Sequence, residues 1–360
     1  MELSHGFWRG RRTLLTGHTG FKGAWLALWL EALDADVTGV ALPPPTDPSL
    51  FRSLGAWPGL RSITGDLRDP EVAARVVSDT APEVVFHLAA QALVRVSFGE
   101  PVGTFATNVM GTVHLLEAIR NAPSVKAVVV VTSDKVYEND GGGRPFQEHH
   151  RLGGRDPYSA SKVCQELVAA SFRRSFFRDG SVRVVSARAG NVIGGGDWAK
   201  DRLIPDFVRA AAAGEAMKIR RPDATRPWQH VLDALAGYLL YAERLWAGTD
   251  VPSELNFGPS ASDVRPVRWV VERLDRLWGD APSWIIEPDD AVPEEQALTL
   301  DAGLAARALG WRPRLALEEA LVWTIDWYRG FRDRHDMRAF SLEQIRRYEA
   351  LKPRGDPGSG

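Results

Sequence analysis

Thr16-Gly17-His18-Thr19-Gly20-Phe21-Lys22-Gly23 spaces its glycines three apart, directly after the apolar run Thr13-Leu14-Leu15 and directly before residues 22–33, where apolar side chains recur at helical spacing. The order is strand, glycine turn, helix. Glycines there let the backbone approach a pyrophosphate, and the helix N-terminus adds unpaired N–H groups and a favourable dipole. A plain tight turn uses glycine too; it is the place between strand and helix that points to a dinucleotide. The same strand-then-helix rhythm recurs at residues 36–41, 84–89, 127–132 and 181–187, with the longest helical stretches at 102–121 and 158–177. Such alternation predicts an α/β fold, a Rossmann-type doubly wound parallel sheet.

Beyond Gly190 the loops become rich in Gly, Pro and Arg, which predicts a smaller C-terminal substrate-binding lobe. Residues 1–190 are expected to form the cofactor domain and 191–350 mainly the lobe. The lobe is discontinuous, because residues 231–258 read as a helix and strand returning to the sheet, and residues 351–360 read as a flexible tail. Net charge is only −2 and offers no whole-molecule attraction for nucleic acid. The single cysteine, Cys164, cannot form an internal disulfide, no Cys/His spacing resembles a zinc site, and no stretch has the length and apolarity of a membrane span. A cytoplasmic enzyme without a metal, acting on a small molecule, is the expectation. Trp25 and Trp29, one helical turn apart, predict a buried helix face.

Asp156-Pro157-Tyr158 followed by Lys162 puts a phenol and an ammonium on one helix face, with Asp156 as cap and Pro157 in the first turn. The expected effect of the ammonium is to favour the phenolate, so that Tyr158 can take a hydroxyl proton. Thr132-Ser133 at a strand end supplies a hydroxyl to hold the same oxygen. The cofactor is expected to be NAD: the segment Gly39-Val40-Ala41-Leu42-Pro43 lacks the usual ribose-binding acid but also lacks an arginine for a 2′-phosphate. Asp66-Leu67, after the presumed third strand, either meets the adenine amino group or is a surface turn.

On the glycine turn, His87-Leu88-Ala89-Ala90-Gln91, Asn108, Tyr158 with Lys162, and Leu309-Gly310-Trp311-Arg312-Pro313, the chain resembles the extended short-chain dehydrogenase/reductase family over nearly its whole length. Within it, the chain is most similar to the nucleotide-sugar 4,6-dehydratases of the type acting on CDP-glucose, through residues 17–23, Thr132-Ser133-Asp134-Lys135, residues 191–198 and Arg226-Pro227-Trp228-Gln229-His230. The resemblance implies an NAD site at Gly17, His18, Thr19, Gly20, Phe21, Lys22, Gly23, Asp66, Leu67, Ala89, Ala90, Asn108, Tyr158 and Lys162. It implies a substrate site at Gln91, Asn191, Arg202, Arg220 and Arg226, although for Arg220 the residues themselves favour a solvated surface charge. It also implies a homodimer, through a four-helix bundle of residues 102–121 and 158–177. The reaction implied is C4 oxidation, loss of water across C5 and C6, and hydride return to C6. Asp134 is the expected acid at C6, and Lys135, standing where related dehydratases carry glutamate, the expected base at C5. Lys135 can act so only when neutral; its other reading is a partner for Asp134 or a phosphate.

Three alternatives stay open on the sequence: a 4-epimerase, a dehydratase for another nucleotide sugar, and a nucleotide-sugar-binding regulator without turnover. Residues 138–150, with Asn139-Asp140-Gly141-Gly142-Gly143, read as a flexible insertion that can alter sugar preference. His149 and His150 are expected to point apart, and His87 to be a core histidine.

Overall fold

Valine-rich runs between glycine and proline turns become the strands of one sheet, because β-branched side chains pack well on a pleated surface. The computed structural model describes residues 3–279, 284–287 and 297–354. Among them, β1 (Arg12–Thr16), β2 (Asp36–Ala41), β3 (Leu60–Thr64), β4 (Val84–His87), β5 (Ala127–Val131), β6 (Arg183–Ala189) and β7 (Glu254–Phe257) form a sheet in the order β7-β6-β5-β4-β1-β2-β3. All its pairings are parallel. The winding direction reverses between β1 and β4, and a crevice opens beyond the carboxyl ends of strands at such a switch point.

The alternation along each strand divides the core in two. Leu14, Val85, Val128 and Val130 pack with helices Pro70–Thr80, Gly111–Arg120 and Pro157–Ser175 on one face. Leu15, Phe86, Val129 and Val131 face the other layer, which includes helices Phe21–Ala32 and Val231–Trp246. Trp25 and Trp29 are fully buried there, as their spacing predicts. The stretch 102–121 is helical but not uniform: Pro101–Phe105 runs through a π turn, Ala106–Met110, into Gly111–Arg120, and the π turn carries Asn108 into the interior.

The chain leaves the sheet after β6 and returns at β7, which pairs with β6 from Glu254↔Ser186 to Phe257↔Ala189. Outside the sheet, short ladders tie Val192–Ile193 to Gln229–His230, and Thr225–Pro227 to Val264–Pro266, which follows β7. Two expectations need correction. Residues 138–150 are fastened rather than loose: Tyr137 stacks on Phe146 at 4.8 Å, Phe146 N donates to Thr299 O at 2.9 Å, and Glu148 Oε1 accepts from Asn256 N at 2.8 Å. The longest exposed stretch there, residues 140–145, contains the glycine tip. The anchors come from distant residues, which is why the local sequence does not reveal them. His149 and His150 likewise do not diverge; their ring centroids lie 4.7 Å apart. The start of the C-terminal tail is also held, with Arg354 N donating to Pro313 O at 3.1 Å and its guanidinium paired with Asp263; residues 355–360 lie outside the described residues. Among the described residues no helix is long and apolar enough to cross a membrane.

Candidate active site

The three turn glycines do different work. Gly17 has φ +78°, and a Cβ on it would lie 2.7 Å from Ala89 N, so the β4 loop lies directly against the turn. At Gly23 a Cβ would come 2.0 Å from Gly17 O, so the helix sits on the turn with no intervening atoms. Gly20 is the N-cap of Phe21–Ala32 and no side chain caps that helix, which leaves its first N–H groups to an external acceptor. A bare, close-packed cradle at a helix N-terminus fits a dinucleotide pyrophosphate.

Around the cradle, Thr19 Oγ1 donates to Leu42 O at 2.8 Å, and Phe21 lies beside Gly194. Leu88 N and Ala89 N donate to Thr16 Oγ1 at 3.1 and 3.0 Å, with Ala90 next in that loop. The His18 ring turns inward beneath Gly39, with Nε2 2.7 Å from Ser62 Oγ, and burial lowers its pKa to about 4. His18 therefore fills space as a neutral ring. The Asp66 carboxylate is engaged by Arg68, with Nη2 at 2.5 Å, while Leu67 O accepts from His114 Nδ1 at 2.9 Å. Asn108 clamps the Gln91 backbone, accepting from its N at 2.8 Å and donating to its O at 3.0 Å, and donates to Ser161 Oγ at 2.8 Å. The Gln91 amide bonds Leu93 and Thr104, so both of its ends shape the loop itself.

At the end of β5 the chain turns into a short 3₁₀ helix, Asp134–Val136, capped by Ser133, whose Oγ accepts from Lys135 N at 3.2 Å. Ser133 Oγ also donates to Asp134 Oδ1 at 3.1 Å, and its hydroxyl favours the phenolate of Tyr158. Tyr158 sits in the first turn of Pro157–Ser175, capped by Asp156, whose side chain accepts from Ser159 N. Burial pushes the phenol up to about 12 and Asp134 adds to this, while Ser133 and Arg202 oppose it. Burial also raises the Asp134 carboxyl, against the pull of Lys135, Ser133, Arg226 and Lys22. An Asp134 that keeps its proton ceases to oppose the phenolate, so an acidic Asp134 and a basic Tyr158 support each other.

Lys162 is buried and donates to Gln165 Oε1 at 2.7 Å and Val131 O at 3.3 Å; burial and Lys22 lower its pKa to about 7, against Glu166. Arg202 is a cation that lowers the pKa of Tyr158. Lys135 is half-buried beside Asp134.

Of the substrate candidates, Arg202 and Arg226 bring positive charge to this cluster. Arg202 Nη1 is held by Asp197 Oδ2 at 3.1 Å. Asn191 follows β6, and its carbonyl accepts from Gln229 N at 3.0 Å. Arg220 pairs with Asp201 at 2.9 Å, and Asp201 also meets Arg95 at 3.7 Å.

Sequence reasoning missed two contributors and gave Lys22 to the cofactor alone. Lys22 also reaches Asp134: burial and Arg202 lower its pKa to about 8, and Asp134 opposes this. A buried ion pair joins Arg188 to Glu166; Thr132 Oγ1 donates to Glu166 Oε1 at 2.7 Å, and Arg188 Nη1 donates to Tyr137 Oη at 2.8 Å. That pair braces the strand end carrying Ser133. Gly190 makes room for Asp134, since a Cβ there would lie 2.9 Å from Oδ2 and 2.8 Å from Pro227 Cγ. A charge inside a valine-rich strand was the available signal for Arg188.

Residues 13–256 match the NAD dependent epimerase/dehydratase family. The chain belongs to that family. A protein from Salmonella typhimurium named CDP-glucose 4,6-dehydratase is 45% identical over 98% of this chain and 100% of its own length. The solved structure of DesIV, a dTDP-glucose 4,6-dehydratase from Streptomyces venezuelae with NAD bound, superposes with a TM-score of 0.77 at 27% identity, covering 90% of this chain and 98% of that one. UDP-glucose 4-epimerase from Thermus thermophilus, solved with NAD, gives 0.75 at 25% identity over 88% and 99%. The cofactor of this family is NAD, and the glycine cradle fits it.

Proposed function

We propose that the chain is a lyase that converts CDP-glucose to CDP-4-keto-6-deoxyglucose and water. The observation that carries this is the buried Asp134 carboxyl, kept toward its acid form beside Ser133 and Tyr158. Epimerisation at C4 has no use for an acid at C6. The 45% identity over the full length of a CDP-glucose 4,6-dehydratase supports the choice of substrate.

When bound, NAD supplies the hydride acceptor for C4 and the donor for C6. Tyr158 takes the C4 hydroxyl proton while Ser133 holds that oxygen. The resulting ketone acidifies C5–H, Lys135 removes that proton, and Asp134 protonates the departing C6 hydroxyl. Lys135 then returns a proton to C5. Arg202 and Arg226 meet the diphosphate, where planar guanidinium groups bond phosphate oxygens well. Lys22 keeps net positive charge near Asp134.

CDP-glucose carrying deuterium at C4 tests this. A dehydratase moves the label to the C6 methyl group of a 4-keto product. An epimerase leaves it on C4, and that outcome would refute the assignment.

The enzyme is placed in the cytoplasm as a homodimer. Val96, Phe98, Val102, Phe105, Met110 and Leu167 are exposed on the helical segments 94–120 and Pro157–Ser175, with Val102 at 81%, and Phe176 is exposed at the C-cap of the latter. Apolar side chains left uncovered on two packed helical segments suit a twofold four-helix contact. Sedimentation should give a dimer that Leu167→Glu dissociates; a wild-type monomer at micromolar concentration would refute it.

A further inference from the structure

Lys162 is held by a buried chain of neutral groups whose direction can be worked out. Thr112 Oγ1 donates its one proton to Asn108 O at 2.7 Å, so it must accept from its other two partners. These are Gln165 Nε2 at 2.8 Å and His87 Nε2 at 2.9 Å. The Gln165 amide is thereby fixed with its carbonyl toward Lys162 Nζ, 2.7 Å away. His87 must carry its proton on Nε2, leaving Nδ1 to accept from Thr16 Oγ1 at 2.8 Å. Thr16 in turn receives Leu88 N and Ala89 N beside the glycine turn. Thr16, His87, Thr112 and Gln165 are all essentially sealed from solvent.

We infer that Gln165 is a positioning residue that holds Lys162 in its protonated form, with Thr112 and His87 locking the amide so that only its oxygen faces the ammonium. The inference rests on the reading of Lys162 as a member of the catalytic set. Its basis is the geometry of five hydrogen bonds running from Lys162 to the loop against the glycine turn, with a sixth, from Thr112 to Asn108 O, setting their direction. A flipped amide would present N–H to the ammonium, and the lock excludes that flip. The other ionisable groups around Lys162 are Lys22 from the helix Phe21–Ala32, His87 from β4, Tyr158 on its own helix, and Glu166 with its partner Arg188 from β6. Burial and the Lys162 charge keep His87 neutral, with a pKa near 3, so the chain does not itself titrate in the working range.

Two substitutions should move Lys162 in opposite directions. Gln165→Leu removes the acceptor and should lower the Lys162 pKa by about one unit or more; Gln165→Glu adds a negative acceptor and should raise it by about as much. Thr112→Val, which unlocks the amide, should follow Gln165→Leu. The titration is read by NMR on enzyme with ¹³Cε-labelled lysine, using Lys162→Met to assign the resonance, and needs no turnover. The high-pH limb of kcat with CDP-glucose should move in the same sense. Shifts of the same sign in the Leu and Glu variants, or none in either, would overturn the inference. If Gln165→Leu does not fold, the Glu and Thr112→Val pair must still diverge. Opposite NMR shifts without turnover of CDP-glucose would uphold the lock and sink the proposed reaction.

Discussion

Gly23→Ala and Gly20→Ala separate what the glycine turn does for packing from what it does for the cofactor. At Gly23 the new Cβ would lie 2.0 Å from Gly17 O, 2.8 Å from Gly17 C and 2.9 Å from His18 Cα, whereas real Cβ atoms essentially never approach within 3.0 Å. All three neighbours are backbone, so the helix and turn must part by about 1 Å, an overpacking that costs about 1–3 kcal/mol. Melting should fall by several degrees at roughly 2 °C or more per kcal/mol. NAD should bind at least about tenfold more weakly, because loss of only about 1.4 kcal/mol from the cradle suffices. At Gly20 the Cβ would meet Gly17 O at 3.4 Å, an ordinary contact, and its φ of −78° suits alanine. Gly20→Ala should therefore melt within about 0.5 kcal/mol of wild type and still bind NAD poorly, because the methyl group stands at the uncapped helix end. Differential scanning fluorimetry with calorimetric NAD titration reads both. Wild-type melting and affinity in Gly23→Ala would refute the packing argument; tight NAD binding by Gly20→Ala would remove the pyrophosphate from this turn.

Lys135→Met should retain NAD affinity and C4 oxidation but lose dehydration, so that reduced cofactor accumulates by absorbance; normal turnover would dismiss it as the C5 base. Gly190→Ala should cut kcat at least about tenfold with unchanged NAD affinity, since its Cβ would take the space of Asp134 Oδ2 against the rigid Pro227 ring; unchanged kcat would show that the Asp134 position is not limiting. Burial raises the Asp233 carboxyl to about 7, eased by Arg314 N and Tyr348. The folded chain then keeps a proton that the unfolded chain releases above about pH 4, so stability falls as pH rises from about 4 to 7 and stays lower above it. Asp233→Asn should flatten melting over that window and raise it at pH 8; an unchanged slope would locate the titration elsewhere.

The parts legible in the sequence were those whose chemistry is local. The glycine turn, the Asp156 cap and the i, i+4 pair Tyr158 and Lys162 each carry their geometry in a few adjacent residues, and the valine runs disclose strands buried on both faces. What stayed hidden depends on pairings across the fold. Nothing near Glu166 announces Arg188, since only the adjacency of β6 to β5 and the helix above brings them together. Lys22 reads as a cofactor residue alone until the topology brings it to Asp134. Asp66 and Gln91 sit where a ligand contact is expected, yet each has a partner within two residues that engages its side chain.

The return of β7 to the sheet matters for anyone who would recombine this enzyme with its relatives. The chain leaves the sheet after β6 and returns at β7, while the helix Val231–Trp246 between them covers the sheet. A graft made at one junction would carry away an edge strand and a covering helix along with the loops proposed to hold the substrate. Exchanging specificity between relatives therefore calls for paired junctions, one set enclosing residues 191–230 and another beyond Phe257, with the intervening helix and strand left in place.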